Sequence, residues 1–251
     1  MKISVLSSGS KGNTTYISSK KAKILIDLGN TSKYVKERLE DLKVDPNSID
    51  AILITHIHVD HVGGLKTFIK KYNIKVYITE SMLKSLDYLD NYEIIDDEFY
   101  IKDMHINCIK TSHDTPESRG FVISSEDKSI VYITDTGYIN KKYFDILKNR
   151  DLYVIESNHD IEMLNNGSYP FHLRQRILSD KGHLSNYDCS KYLSEFIGNK
   201  TKYILLAHLS NDNNTKELAY ETLINRLNKE KKVVDNIIIT SQNKETELIK
   251  L

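Results

Sequence analysis

Ala51-Ile52-Leu53-Ile54-Thr55-His56-Ile57-His58-Val59-Asp60-His61-Val62-Gly63-Gly64 is the most informative stretch of this sequence. Ala51 to Ile54 is a short apolar run of the kind that forms a buried strand. Directly after it, His56, His58, Asp60 and His61 place four metal-competent side chains within six residues. In extended backbone, side chains two residues apart project to the same side. His56 and His58 can therefore face one cation while the following turn aims Asp60 and His61 at a second. Gly63-Gly64 then permits a tight turn into a helix.

Further short β-branched runs predict strands at Ile3 to Leu6, Lys23 to Ile26, Val76 to Ile78, Ile130 to Ile133, Leu152 to Ile155, Tyr203 to Leu206 and Ile237 to Ile239, with a last one over Glu247 to Leu251. Helical spacing appears in Val35/Leu39/Leu42, Leu65/Ile69, Tyr192/Leu193/Phe196 and Leu218/Leu223/Leu227. Strands gather early and helices late, so two sheets with helices outside fit this order better than one doubly wound sheet. The cluster Lys229-Glu230-Lys231-Lys232 reads as a solvated helix end.

The 251 residues suit one domain, 1–251, and a composition 39% hydrophobic and 28% charged is that of a folded chain able to bury a core. Lys+Arg and Asp+Glu are both 35, so any affinity for nucleic acid must come from a local patch rather than a global field. Cys108 and Cys189 are too few for a disulfide framework or a thiolate metal site. The N-terminal apolar run is far too short for a signal peptide or a membrane span and predicts a strand in a cytoplasmic protein. Oligomeric state is not legible.

The His56, His58, Asp60, His61 motif resembles the signature of the metallo-β-lactamase superfamily. That resemblance implies an α/β (α+β) fold, a four-layer αββα sandwich, and two divalent metal ions, Zn or Mn. It also implies roles elsewhere. Asp27, in Ile24-Leu25-Ile26-Asp27, is expected to brace the metal loop. His113, in Thr111-Ser112-His113-Asp114, Asp135, in Thr134-Asp135-Thr136-Gly137, and His208, in Ala207-His208-Leu209-Ser210, complete the ligands. His56, His58 and His113 would hold one metal, Asp60, His61 and His208 the other, with Asp135 bridging. Two metals about 3.5 to 4 Å apart can share a hydroxide nucleophile. Two dications less the charges of Asp60, Asp135 and hydroxide leave the site positive, which favours an anionic substrate. A phosphodiester and a carboxylate-bearing acyl compound both qualify, so a thioesterase or lactonase stands as the alternative to a nuclease.

Lys181-Gly182-His183-Leu184-Ser185 resembles the glycine-histidine-serine element of RNase Z, in which the histidine works with a glutamate as general acid. His183 and Glu156 are the matching residues here, with Asp60 as the third catalytic group. Over nearly the whole chain the sequence is similar to the YycJ (WalJ) group of metallo-hydrolases. The matches are Ser8-Gly9-Ser10-Lys11-Gly12-Asn13, Thr55 to His61, Thr134 to Tyr138, Glu156 to Asp160, Arg176 to Asn186, and His208-Leu209-Ser210 with Asn213-Asn214. That group implies a 5′ to 3′ DNA exonuclease linked to DNA repair. Ser10, Asn13, Arg176 and Ser185 are the expected substrate contacts, with Arg119 and Arg174 as further phosphate partners. His105, His159 and His172 are expected in ordinary polar or packing roles.

Overall fold

The computed structural model describes residues 1–251. The first half runs β1 (Lys2–Ser7), β2 (Thr14–Ser18), β3 (Lys23–Ile26), α1 (Ser32–Asp41), β4 (Ala51–Leu53), α2 (Val59–Val62), α3 (Leu65–Tyr72), β5 (Lys75–Ile78), α4 (Glu80–Leu83) and β6 (Tyr92–Ile94). The second half runs β7 (Glu98–Ile101), β8 (Met104–Lys110), β9 (Arg119–Ser125), β10 (Lys128–Ile133), α5 (Phe144–Leu147), β11 (Leu152–Glu156), α6 (Ile161–Asn166), α7 (Phe171–Ile177), α8 (Asn186–Phe196), β12 (Tyr203–Ala207), α9 (Lys216–Lys229), β13 (Asn236–Ile239) and β14 (Ile249–Lys250). No helix is long and apolar enough to cross a membrane.

Two seven-stranded sheets result, one ordered β14-β1-β2-β3-β4-β5-β6 and the other β13-β12-β11-β10-β9-β8-β7. Three apolar clusters define four layers. Ile3, Ile24, Leu53, Phe121, Ile130 and Leu205 meet between the sheets. Leu25, Leu39, Ile52 and Phe68 pack the first sheet under α1 and α3, while Val131, Tyr153, Leu193 and Leu223 pack the second under α8 and α9. Successive residues of one strand serve opposite faces, as Ile52 and Leu53 do in β4. The result is the αββα sandwich, mixed α/β, expected from the sequence.

Five strands carry no plain sequence signal. β2 (Thr-Thr-Tyr-Ile-Ser) is buried throughout, but its hydroxyls break the apolar run. β6 is wholly exposed, and β7 and β8 alternate polar with apolar residues as a hairpin. β9 opens on Arg119-Gly120. The terminal strand shrinks to β14, which pairs antiparallel with β1 and so joins the two ends of the chain.

Gly63 and Gly64 serve a different purpose from the expected turn. Their φ values of −56° and −94° are open to any residue. What requires glycine is close approach: a Cβ on Gly64 would lie 1.9 Å from the Asn30 carbonyl oxygen, and one on Gly29 would lie 1.7 Å from that of Asp60. The end of β3 is thus pressed against the loop carrying Asp60 and His61. Gly29→Ala is expected to lower stability by about 1–3 kcal/mol or more through overpacking against backbone. Gly198→Ala, whose methyl group would meet the Asn149 side chain rather than backbone as its nearest neighbour, should cost less. Urea unfolding midpoints of the two variants check the contrast.

Candidate metal centre

The parallel strands at the middle of each sheet deliver their C-terminal ends to one seam. In the first sheet β3 and β4 run parallel, and the Asp27 N–H donates to the Leu53 carbonyl oxygen at 2.8 Å. In the second, β10, β11 and β12 are parallel, with Ile133 beside Ile155 and Glu156 beside Ala207. Asp135, Glu156 and His208 therefore emerge side by side. Asp27, Asp135 and His208 all leave their strands with φ between 53° and 59°, in the left-handed region that side-chain-bearing residues seldom occupy. This sharp exit turns each side chain across the seam.

Beyond β4, His58 precedes the short helix α2, which carries Asp60 and His61. Asp27 fixes this loop, accepting from the Thr55 N–H and hydroxyl, each at 2.8 Å, and from His61 Nδ1 at 2.7 Å. With Nδ1 so engaged, Nε2 of His61 faces the seam. His113 is oriented likewise by donation from Nδ1 to the Gly182 carbonyl at 3.1 Å.

Two groups of ligand atoms follow. His58 Nδ1 lies 3.2 Å from His56 Nε2 and 3.3 Å from His113 Nε2. Asp60 Oδ2 lies 3.5 Å from His61 Nε2 and 3.6 Å from His208 Nε2. Asp135 stands between the groups, Oδ2 at 3.2 Å from His61 Nε2 and Oδ1 at 4.0 Å from His113 Nε2. All seven sequence-derived ligand candidates are thus brought together. A tetrahedral cation with arms of about 2.0–2.2 Å requires ligand atoms about 3.3–3.6 Å apart, close to these separations. Asp135 Oδ2 and His208 Nε2, both buried, make no hydrogen bond, and a buried polar atom without a partner is costly. This donor set fits two divalent cations.

The electrostatics agree. Burial opposes the charge on His61, yet Asp27 and Asp135 raise its pKa to about 10. His208 is also desolvated, and Asp135, Asp60 and Glu156 lift it well above the ordinary histidine value. For Asp135, burial is overcome by His208 and His61, which hold the carboxyl well below its usual range. Desolvation and the neighbouring His61 keep His56 well below the ordinary value. Without cations, protons on His61 and His208 supply the positive charge that the carboxylates need.

His183 adjoins this cluster. Its Nδ1 donates to Glu156 Oε1 at 2.6 Å, and its ring stacks 5.4 Å from His208. Burial works against protonation of His183, but Glu156 raises its pKa. Glu156 is held at about 2 by His183 despite complete burial.

The expected substrate contacts divide. Ser10 and Arg176 line a cavity of about 410 Å³ with His113, His183 and His208. Asn13 does not: it is fully buried, its Nδ2 lying 3.2 Å from Asp60 Oδ2 and its Oδ1 accepting from the Gly9 N–H. It therefore braces Asp60, a ligand candidate. Ser185 is also corrected, since its buried hydroxyl caps α8 at Asp188 N–H and bonds the Asp188 carboxylate at 2.6 Å. Arg119 is 5% exposed and donates to the Glu117 and Ser118 carbonyls, and Arg174 donates to the Asn165 carbonyl. His105 stacks on Tyr100, and buried His159 bridges to Ser185. Asp114 was missed. Its Oδ1 lies 3.4 Å from His58 Nε2 and its Oδ2 takes Arg176 at 2.5 Å. Adjacency to His113 was the only sequence signal for it.

The chain is similar to several known proteins. The family model described as metallo-beta-lactamase superfamily matches residues 8–91. An exodeoxyribonuclease WalJ from Streptococcus pneumoniae is 39% identical over 236 residues, 90% of this chain and 88% of that protein. An exodeoxyribonuclease YycJ from Bacillus anthracis is 36% identical over 86% of this chain and 85% of its own. Among solved structures, the metallo-beta-lactamase fold protein YhfI from Bacillus subtilis superposes with a TM-score of 0.75 at 16% identity, covering 98% of this chain and 99% of that one. At that identity it speaks for the fold.

The protonated imidazoles have a consequence for metal binding. A cation must displace the Nε2 proton of His61, whose pKa is raised from 6.5 to about 10. Below about 10 the proton competes, so affinity for zinc should rise with pH by roughly tenfold per unit for each proton released. Calorimetric titration between pH 6.5 and 8.5, in buffers of different ionisation enthalpy, measures both the affinity and the protons.

Proposed function

Because the chain belongs to the metallo-beta-lactamase superfamily, we propose that it is a metal-dependent exodeoxyribonuclease that hydrolyses the phosphodiester bonds of DNA from the 5′ end. One observation carries this beyond the family: the carboxylate-braced His183, bonded to Glu156 at 2.6 Å and opening on the same cavity as His113 and His208. A strand alkoxide is a poor leaving group and needs a proton, whereas a thiolate does not. A dedicated proton donor therefore favours phosphodiester cleavage over acyl hydrolysis.

The geometry supports the following roles. His56, His58 and His113 would hold one ion, Asp60, His61 and His208 the second, and Asp135 would serve both. Zinc or manganese so held would supply a nucleophile from water at neutral pH and offset charge on the phosphate. Asp60, restrained by Asn13, would also orient the attacking water. His183, with Nδ1 committed to Glu156, would deliver a proton from Nε2 to the departing oxygen. Asp114 engages Arg176 through Nε and Nη2, leaving Nη1 for a strand phosphate.

Purified protein loaded with zinc or manganese is expected to shorten 5′-labelled and 3′-labelled DNA strands in a pattern reporting polarity. Intact strands under every metal tested would sink the proposal. His183→Ala should slow cleavage of DNA by about 10²–10⁴-fold and lose far less on bis(p-nitrophenyl) phosphate, whose leaving group needs no proton. Asp60→Ala should abolish turnover on both substrates. Steady-state rates alongside metal content, measured by elemental analysis, separate the two variants.

A further inference from the structure

The cavity beside the metal centre has apolar lining that the proposed chemistry leaves unused. Between β11 and α8 the chain makes an excursion through α6 and α7, and Tyr169, Leu173 and Ile177 from it line the cavity that His113, His183 and His208 also line. Leu209, next to a ligand position, completes the apolar surface. Tyr169 is anchored, its hydroxyl donating to Asp212 at 2.8 Å. Arg176, on the same helix as Leu173, is fixed by Asp114 at 2.5 Å, and Lys181 is the second cation on this wall. An aromatic ring and aliphatic groups beside cations within reach of one chamber match a nucleotide, which presents a flat apolar base a short distance from an anionic phosphate. A plain phosphate would use only the cations.

We propose that Tyr169, Leu173 and Ile177 form a subsite for the nucleobase of the terminal nucleotide, with Arg176 and Lys181 taking its phosphate. The inference rests on the exonuclease reading and adds the part of the substrate that is recognised. Contact with the base alone carries no sequence code, since every base offers an apolar face. The subsite therefore favours an end bearing any base over an end bearing none.

The test compares two DNA strands that differ only at the 5′-terminal residue, which is a normal nucleotide in one and an abasic tetrahydrofuran analogue in the other. For the metal-loaded protein, kcat/KM for the first cleavage should fall roughly five- to hundredfold on the abasic end, the range expected of one base contact. In Tyr169→Ala the ratio between the two strands should shrink toward one, because only the base-bearing strand loses a contact. Tyr169→Phe, which keeps the ring, should retain most of the ratio. Equal rates on the two strands in the active wild-type protein would overturn the subsite while leaving the exonuclease reading intact, and need no variant. A Tyr169→Ala protein that slows both strands equally would also overturn it. If the wild-type protein cleaves neither strand and spares bis(p-nitrophenyl) phosphate, the exonuclease reading and the subsite fall together.

Discussion

Charge buried in the seam between the sheets is the constraint on which the rest of the structure depends. Asp27 and Glu156 are fully buried and Asp135 is 2% exposed, and desolvating a carboxylate costs several kcal/mol unless a counter-charge is near. The counter-charge must come from cations or from protons on His61 and His208. Everything around the seam serves to hold those partners in range. Asp27 ties the loop of His61 to β3, Ser8 accepts the His208 N–H at 2.8 Å, and Asn158 donates to the His208 carbonyl at 3.0 Å. The apolar clusters supply the stability that makes such a seam tolerable.

The backbone bears part of this cost. Left-handed exits at Asp27, Asp135 and His208 cost on the order of 1–3 kcal/mol each for residues with side chains. The strain is located where sheet ends meet, and the hydrogen bonds to Asp27 and to the His208 carbonyl hold it in place. Glycine at 29 and 64 adds the complementary device, letting backbones approach so that the loop of His61 can reach the seam.

Much of this was legible in the sequence because it is local. His56 to His61 follows a buried strand within a few residues, and Asp27, Asp135, Glu156 and His208 each end an apolar run, so strand prediction also located the side chains. What was not legible is non-local. Asn13 reaches Asp60 across 47 residues, and Asp114 links His58 to Arg176 from different loops. In sequence Asn13 reads as a substrate contact and Asp114 as an ordinary polar residue. Ser185 was misplaced because a serine after a histidine can face a substrate or cap a helix, and only the course of α8 decides between them. The β7–β8 hairpin was missed because it mixes polar with apolar residues and looks like a loop, and β9, though almost wholly buried, because Arg119-Gly120 and Ser124-Ser125 leave only a three-residue apolar run between them.

Glu156 joins the candidate metal centre to the candidate proton donor. Its Oε1 accepts from His183 Nδ1 at 2.6 Å and from His208 Nδ1 at 3.1 Å, while Oε2 accepts the Thr136 and Leu184 N–H groups at 3.1 and 3.2 Å. One carboxylate therefore sets the tautomer of a candidate ligand and of the candidate proton donor together. It also pins the loop after β10 to the segment leading into α8. With both oxygens committed, the carboxylate cannot turn toward either histidine alone. His208 and His183 keep their stacked spacing because both bond the same oxygen. The distance between the candidate ligand His208 and the candidate proton donor His183 is thus fixed by the reach of a single side chain rather than by the packing of two separate loops.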